Sequence, residues 1–265
     1  MREWLGRAAR MAMIAGVCLC AARGARAEVM KWTIDGVPRE ALVLAPSKAD
    51  GGAKAPVVFE FHGHGGDMQQ AAQAGLQNLW PEAVVVCMQG LPTSIYVDPE
   101  GVEAGWQQEP GQYEDRDLKF FDAALATVRK KFAVDERRVY AVGFSNGAIF
   151  AYLLWGTRAK ELAGFASVAG EIFPRVRLSE PRALLQIAGE NDEVVPFAKQ
   201  MQAVRVAREL DGSDGAGQAC GQYCTVYRSS RGAPVETYIH PGGHEWPAEA
   251  AEVIVKFLKA QARAE

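Results

Sequence analysis

The sequence is poor in histidine and cysteine, and beyond its N-terminal region it has no long apolar run. It contains four histidines and five cysteines in 265 residues, and no later segment approaches 18 apolar residues. Histidines this few argue against a multi-histidine metal centre, and the short apolar segments predict no permanent membrane span. Basic residues are not in excess, because 29 Lys and Arg stand against 32 Asp and Glu. This balance argues against nucleic acid or an anionic membrane as a partner.

The first 27 residues predict a secretory signal peptide. A basic start precedes an apolar run over residues 11–22, and the small-x-small motif Ala25-Arg-Ala27 follows. Because the run is too short to span a bilayer permanently, we expect cleavage after Ala27 and a secreted or periplasmic protein. The removed segment holds five arginines and one glutamate, so the formal net charge falls from −3 to −7.

The cysteines divide into three groups. Cys18 and Cys20 lie in the predicted signal peptide, and Cys87 sits in an apolar run typical of a buried core strand. Cys220 and Cys224 flank a short segment, and in an oxidising compartment they predict a local disulfide. This Cys-x3-Cys pair lacks the two further ligands of a zinc site.

Short β-branched segments alternate with helical patterns from about residue 56 onward. Several are apolar at nearly every position, as strands covered on both faces must be. The predicted strands are Pro56–Phe61, Ala83–Met88, Arg138–Gly143, Phe165–Val168, Ala183–Ala188 and Val235–Ile239. Apolar residues at spacings of three and four predict helices over 118–132 and 250–258.

An antiparallel pair is predicted before this alternation, because the turn dipeptide Asp35-Gly36 separates two apolar segments. The biased stretch 211–221 is predicted to be a surface loop. Together the patterns predict one α/β domain over residues 28–265, with a mostly parallel central sheet and helices on both faces.

The stretch Gly143-Phe-Ser145-Asn-Gly147 joins a predicted strand to a predicted helix. In that context Gly-x-Ser-x-Gly forms a sharp turn that exposes the serine hydroxyl above the edge of the sheet. The alternative is a structural glycine corner without chemistry. A nucleophilic Ser145 needs a base, and the base needs a third group that orients it.

Both partners occur downstream, each directly after a predicted strand. Asp192 lies in Ala188-Gly-Glu-Asn-Asp192-Glu-Val-Val-Pro196, and His244 lies in His240-Pro-Gly-Gly-His244. The chain order Ser, Asp, His is that of the α/β-hydrolase fold. Asp192 could instead be a helix cap, and His240 competes with His244, although its place at a strand end favours a structural role.

A glycine-rich turn, His62-Gly-His64-Gly-Gly-Asp67, follows another predicted strand. Its backbone N–H groups, from Gly63 or His64, could form an oxyanion hole with the N–H of Asn146. Alternatively, His62, His64 and Asp67 could ligate a metal, but the spacing departs from the usual His-x-His-x-Asp-His pattern.

With these residues the chain resembles the secreted polyhydroxybutyrate depolymerase and feruloyl esterase branch of the α/β-hydrolases. The resemblance spans about residues 30–262, and its matching blocks are FHGHGGD (61–67), VGFSNGA (142–148), AGENDEVVPF (188–197) and HPGGHEWP (240–247).

This resemblance implies Ser145 as nucleophile, His244 as base and then acid, and Asp192 as the group that orients the imidazole. It implies a serine esterase that needs no cofactor or metal and acts on a small or oligomeric ester, with a thioesterase or peptidase of the same fold as near alternatives. A metal-dependent hydrolase and a catalytically silent binding protein are the more distant ones. The chain lacks a threonine-rich linker and a polymer-binding module, which favours soluble esters. Trp106, Tyr113 and Trp246 are predicted to line the substrate pocket or to pack in the core.

Overall fold

A computed structural model describes residues 27–48, 52–213 and 215–263. The predicted signal peptide lies outside the described residues except for Ala27, which begins the first strand. Within these three ranges, no helix combines the length and the apolarity that crossing a membrane requires.

Ten of the described strands form one sheet, in the order β1-β2-β4-β3-β7-β8-β9-β12-β11-β10. A separate two-stranded ribbon, β5-β6, lies in the connection that follows β4. The strands are β1 Ala27–Ile34, β2 Val37–Leu44, β3 Ala55–Phe61, β4 Val84–Met88, β5 Leu91–Pro92, β6 Ala104–Gly105, β7 Val134–Phe144, β8 Gly164–Val168, β9 Ala183–Gly189, β10 Gln218–Gly221, β11 Cys224–Tyr227 and β12 Val235–His240.

The six central strands, from β4 to β12, are parallel, and antiparallel strands lie outside them at both edges. Five-residue strands such as β4 and β8 are buried along their whole length, because helices cover both faces. The predicted β1-β2 hairpin is present, with the left-handed turn residues Asp35 and Gly36 between its strands. The predicted mostly parallel sheet is therefore confirmed.

Six α-helices connect or follow these strands. They are α1 Met68–Gln73, α2 Leu76–Leu79, α3 Arg116–Lys131, α4 Asn146–Arg158, α5 Phe197–Asp211 and α6 Ala250–Lys259. Side chains of α3, α4 and α5 pack on one face of the sheet, and those of α1, α2 and α6 pack on the other. The two apolar layers hold the sheet rigidly, so its carboxyl edge presents loops at fixed separations.

The stretch 211–221 differs from its prediction as a surface loop. Asp211 is buried at the end of α5, and Gln218–Gly221 forms the edge strand β10. The predicted disulfide joins Cys220 to Cys224 at the turn between β10 and β11. Cys87 is a free buried thiol, as predicted.

Candidate active site

Ser145 occupies a strained turn between β7 and α4. Its φ of 53° and ψ of −119° are rare for a residue other than glycine. Glycines on both sides permit the turn, because a Cβ on Gly143 would overlap the carbonyl group of Gly147, and one on Gly147 would overlap that of Phe61. The backbone is thus turned so that the Ser145 hydroxyl projects from the sheet edge.

Ser145, His244 and Asp192 form one hydrogen-bonded chain. Ser145 Oγ lies 2.8 Å from His244 Nε2, and His244 Nδ1 lies 2.9 Å from Asp192 Oδ2. A carboxylate only accepts hydrogen bonds, so Nδ1 carries the ring proton and Nε2 is left to accept the serine hydroxyl. The arrangement can therefore move a proton from Ser145 to His244.

The parallel sheet brings these residues together from distant parts of the chain. They follow β7, β9 and β12, whose carboxyl ends share one edge. The two partner loops are also joined directly: the N–H of Asn191 donates to Gly242 O at 3.0 Å, and its side chain donates to Pro241 O at 2.7 Å. This link fixes the separation of Asp192 and His244.

The Asp192 carboxylate is fully buried and accepts four hydrogen bonds. Oδ1 accepts hydrogen bonds from the backbone N–H groups of Val194 and Val195. Oδ2 accepts one from His244 Nδ1 and one from the side-chain amide of Gln200, both at 2.9 Å. These donors stabilise a buried negative charge and fix its orientation.

Gln200 begins a buried relay that sequence analysis missed. Its Oε1 accepts from Gln186 Nε2 at 3.2 Å, and Gln186 Oε1 accepts from the Tyr152 hydroxyl at 2.7 Å. The signal in the sequence was a glutamine inside an amphipathic helix, which alone does not distinguish a buried amide from a solvated one. The relay ties Asp192 to the helices on one face of the sheet.

The predicted oxyanion residues lie next to Ser145. Gly63 and His64 follow the end of β3, and Asn146 is the first residue of α4. An N–H at the first helical position has no partner within its own helix. The Gly147 backbone packs against Phe61 and His62, which places the turn after β3 beside the start of α4. The turn after β3 and the start of α4 therefore lie side by side next to Ser145.

The side chain of Asn146 has a separate structural role. Its Oδ1 accepts the Trp106 N–H at 2.7 Å, and its Nδ2 donates to Trp106 O at 3.1 Å. These bonds hold the segment after β6 against the start of α4.

Trp106 is a correction to the predicted substrate pocket. It has no exposed surface, packs with Phe61 and Phe150, and donates its indole N–H to His62 O at 2.9 Å. A side chain enclosed in this way cannot touch a substrate, so its prediction as a pocket residue is wrong. Its indole ring instead supports the turn after β3.

The two histidines of that turn are engaged in ways that do not suit a metal site. His62 Nδ1 contacts Gly63 O at 2.7 Å, and Nε2 accepts the Gly90 N–H at 2.9 Å. Burial lowers the pKa of His62 and keeps this neutral tautomer. Asp67 caps α1 through the Gln70 N–H, and His64 Nε2 lies 3.0 Å from Asp98. No lone pair of His62 is left for a cation, so the residues do not fit the metal-dependent alternative.

Another group of metal-type side chains in the described residues is formed by Cys220, Cys224 and Glu236. Its two sulfur atoms are joined as a disulfide and offer no thiolate. This group therefore does not fit a metal either.

A pocket of about 280 Å³ adjoins the serine loop. Trp246, a predicted pocket residue, lines it together with Phe144, Gly63, Ala71 and the buried Glu60. The Phe144 ring also packs on the His244 imidazole, with centroids 5.2 Å apart. Glu60 had escaped sequence analysis, because a single acidic residue in an apolar strand carries no motif.

Tyr113, the third predicted pocket residue, is not part of that lining. It lies in a turn before α3, where its hydroxyl accepts the Ser94 N–H at 2.8 Å and Arg116 stacks on its ring.

Comparison with known proteins gives sequence relatives and structural neighbours, and no protein-family profile matches the chain. The sequence is 29% identical over 216 residues to a probable feruloyl esterase C of Aspergillus clavatus, covering 78% of this chain and 76% of the relative. It is 27% identical over 213 residues to feruloyl esterase C of Emericella nidulans, with the same coverage.

The fold is similar to that of a Bacillus cereus carboxylesterase, with a TM-score of 0.62 and 15% identity over 83% of this chain and 93% of the other. It is also similar to a ferulic acid esterase, with a TM-score of 0.60 and 14% identity over 89% of this chain and 97% of the other. At these identities the neighbours establish the fold, and the relatives above supply the sequence likeness. The chain therefore has the α/β-hydrolase fold and is similar in sequence to feruloyl esterases.

Proposed function

We propose that this protein hydrolyses carboxylic esters through an acyl-enzyme formed on Ser145. Carboxylic-ester hydrolysis is the activity for which its sequence relatives are named, and the relatives suggest feruloyl or other hydroxycinnamoyl esters as the substrate class. The observation that carries the mechanism is the chain of two hydrogen bonds from Ser145 through His244 to Asp192.

In the first half of the reaction, His244 Nε2 takes the proton of the Ser145 hydroxyl as Oγ attacks the ester carbonyl carbon. Asp192 holds the imidazole by Nδ1 and stabilises the positive charge that forms on it. The carbonyl oxygen becomes negative and accepts hydrogen bonds from the backbone N–H groups of Asn146 and of Gly63 or His64. The alcohol then leaves with the proton from Nε2, and the acyl group stays on Ser145.

In the second half, water replaces the alcohol. The oxygen of the water attacks the acyl carbon while His244 Nε2 takes a proton from the water. His244 then gives that proton to Ser145 Oγ as the bond between Oγ and the acyl carbon breaks. The carboxylic acid is released, and the enzyme is restored. Apart from the substrate and water, each step uses only side chains and backbone N–H groups of this protein, so the scheme needs no cofactor.

The surroundings support this scheme in two ways. The Asp192 carboxylate is fully buried, whereas the His244 side chain is 17% exposed, so the substrate can reach the base but not the orienting group. The strained conformation of Ser145 is also typical of a nucleophile held on a tight turn. We further propose that residues 1–27 direct the protein to secretion and that the substrates are soluble esters or oligomers.

The test compares purified protein with its Ser145→Ala variant on methyl ferulate, short p-nitrophenyl esters, a thioester and a peptide. We expect ester turnover by the native protein, labelling by a fluorophosphonate, and a loss of at least about 10³-fold in kcat in the variant. The melting temperature of both proteins serves as the folding control. Full turnover in Ser145→Ala would refute the serine mechanism, and no turnover of any ester would favour a silent binding protein.

A further inference from the structure

A carboxyl group with an unused hydrogen-bonding oxygen lies in the wall of the pocket beside Ser145. Glu60 belongs to β3, where its neighbours in register are Cys87 on β4 and Val142 on β7. Only 3% of its surface is exposed, yet it lines the pocket. Its Oε2 accepts the Cys87 thiol at 3.8 Å, and none of the hydrogen bonds found among the described residues uses Oε1. Because Glu60 lines the pocket, Oε1 is available to a hydrogen-bonding group that enters it.

The state of this carboxyl group follows from its surroundings. Burial raises the pKa of Glu60 to about 8, so near pH 7 it is a neutral acid that carries a proton. Burial and the neighbouring carboxyl group also raise the pKa of the Cys87 thiol, which therefore stays neutral. His62, another lining residue, has both ring nitrogens engaged by the backbone. The free oxygen of Glu60 can thus donate to a ligand oxygen or accept from a hydroxyl.

The rest of the pocket is apolar and aromatic near the serine. Phe144 and Trp246 meet edge to face with centroids 6.4 Å apart, and Ala71 closes the side formed by α1. Gln70 and Gln73 also line the pocket, but both residues are exposed to solvent. A volume of about 280 Å³ falls just under the usual range for drug-sized ligands, so it suits one ring better than a whole saccharide ester.

The pocket is continuous with the proposed reaction centre through two shared residues. Gly63 is a predicted oxyanion donor, and Phe144 precedes Ser145 and packs on His244. A group bound in the pocket can therefore be the arm of an ester whose carbonyl carbon lies at Ser145.

We propose that this pocket is a specificity subsite that binds a hydroxyl-bearing ring of the ester substrate, and that Glu60 recognises the hydroxyl group. The inference rests on the proposed esterase function. The aromatic walls contact the ring faces and edges, and the hydroxyl satisfies the free oxygen of Glu60. A ring without a hydroxyl is expected to bind less well, because it leaves the free oxygen of Glu60 without a partner. An anionic group is disfavoured as well, because the pocket wall is largely apolar and has no Lys or Arg among its lining residues.

The test uses two pairs of esters that differ only in one hydroxyl. Methyl 3-(4-hydroxyphenyl)propanoate and methyl 3-phenylpropanoate place the ring on the acyl side. The acetates of 2-(4-hydroxyphenyl)ethanol and of 2-phenylethanol place it on the alcohol side. We expect kcat/KM to favour the hydroxylated ester by about tenfold in one pair, and that pair identifies the arm that enters the pocket.

Two substitutions then examine Glu60 itself. Glu60→Leu is expected to bring the hydroxyl preference to about one by slowing the hydroxylated ester alone, whereas Glu60→Gln keeps a polar group and part of the preference. Unfolding temperatures provide the folding control, and Glu60→Met replaces Glu60→Leu if the leucine variant does not fold. An unchanged preference in the folded apolar variant would overturn the inference and leave the esterase mechanism intact.

A binding measurement separates the subsite from catalysis. If the native protein hydrolyses none of the four esters, calorimetry with phenol and benzene replaces the kinetics. Tighter binding of phenol, lost in the apolar Glu60 variant, would support the subsite although the proposed function had failed. Equal binding of phenol and benzene would overturn the subsite as well.

Discussion

Two glycine-rich loops at the same edge of the sheet, residues 62–66 and 240–244, carry all four histidines of the protein. In each loop, one histidine is held by the backbone and another is paired with an aspartate. His62 and His240 accept backbone N–H groups of Gly90 and Gly242, while His64 and His244 lie 3.0 and 2.9 Å from Asp98 and Asp192. The loops are thus alike in composition and in their histidine pairing.

The difference lies at the far nitrogen of each paired histidine. His244 Nε2 meets the Ser145 hydroxyl, whereas His64 Nδ1 is buried without a partner in the described residues. A His-Asp pair becomes a catalytic base only where a nucleophile lies within hydrogen-bonding distance. The residue types of a His-Asp pair therefore do not identify the base. Its position relative to Ser145, at the end of β7, identifies it.

The largest expected effect separates the two paired histidines. His244→Ala should lower kcat by more than about 10⁴-fold, because the serine loses its base. His64→Ala should lower kcat by about tenfold or less, because its backbone N–H is retained and only the link to Asp98 is lost. Ester kinetics with melting temperatures measure both, and similar losses in the two variants would contradict the assigned roles.

The aspartates extend the same comparison with a smaller change of structure. Asp192→Asn keeps an oxygen for the Val194 and Val195 N–H groups but no longer holds the His244 tautomer, so we expect kcat to fall by about 10³- to 10⁴-fold. Asp98→Asn is the matched control, since it alters the loop that His64 contacts. Its kcat should remain within about tenfold of the native value, and a loss as large as that of Asp192→Asn would give the His64 pair a catalytic role.

Gln200 supports only the His244 side of the comparison. Gln200→Leu removes one donor from the Asp192 carboxylate, and we expect kcat to fall by about tenfold with little change in KM. Gln202→Leu changes an exposed glutamine of the same helix and should leave both constants unchanged. If both variants lose activity equally, the effect belongs to the helix and not to the carboxylate.

The smallest effect concerns the backbone-held His62. Because burial lowers its pKa, it should stay neutral with the proton on Nδ1 at a pH below 6.5, which nitrogen-15 NMR of the imidazole rings can observe. The unfolded chain binds that proton more readily, so this histidine's contribution to stability is present above about pH 6.5 and is lost as the pH falls. Protonation of His62 near pH 6.5 in the folded protein would contradict the structure.

Much of the fold could be predicted because its signals are local. Apolar runs predicted the six central strands, Asp35-Gly36 predicted the first hairpin, and apolar spacing predicted α3 and α6. Ser145, Asp192 and His244 could be picked out because each follows a strand whose carboxyl end lies at a shared edge. The edge strand β10 escaped prediction, because its residues are exposed and show no apolar alternation.

Other residues had no local signal, because their roles depend on neighbours distant in the chain. Trp106 differs from Trp246 only in what surrounds it: Phe61 and Phe150 enclose the first, and the second borders a pocket. Asn146 was expected to serve through its backbone, and its side chain proved to hold the Trp106 backbone as well.

The sequence by itself determined the parallel sheet, the glycine turn that exposes Ser145 and the chain order of its partners, since periodicity and turn chemistry are properties of neighbouring residues. The tertiary structure decided which histidine meets the serine, which tryptophan lines a pocket, and that Glu60 lies in the wall of the pocket beside the serine loop. These outcomes depend on distances and burial between strands far apart in the chain, and such distances exist only once the sheet and its two helical layers have assembled.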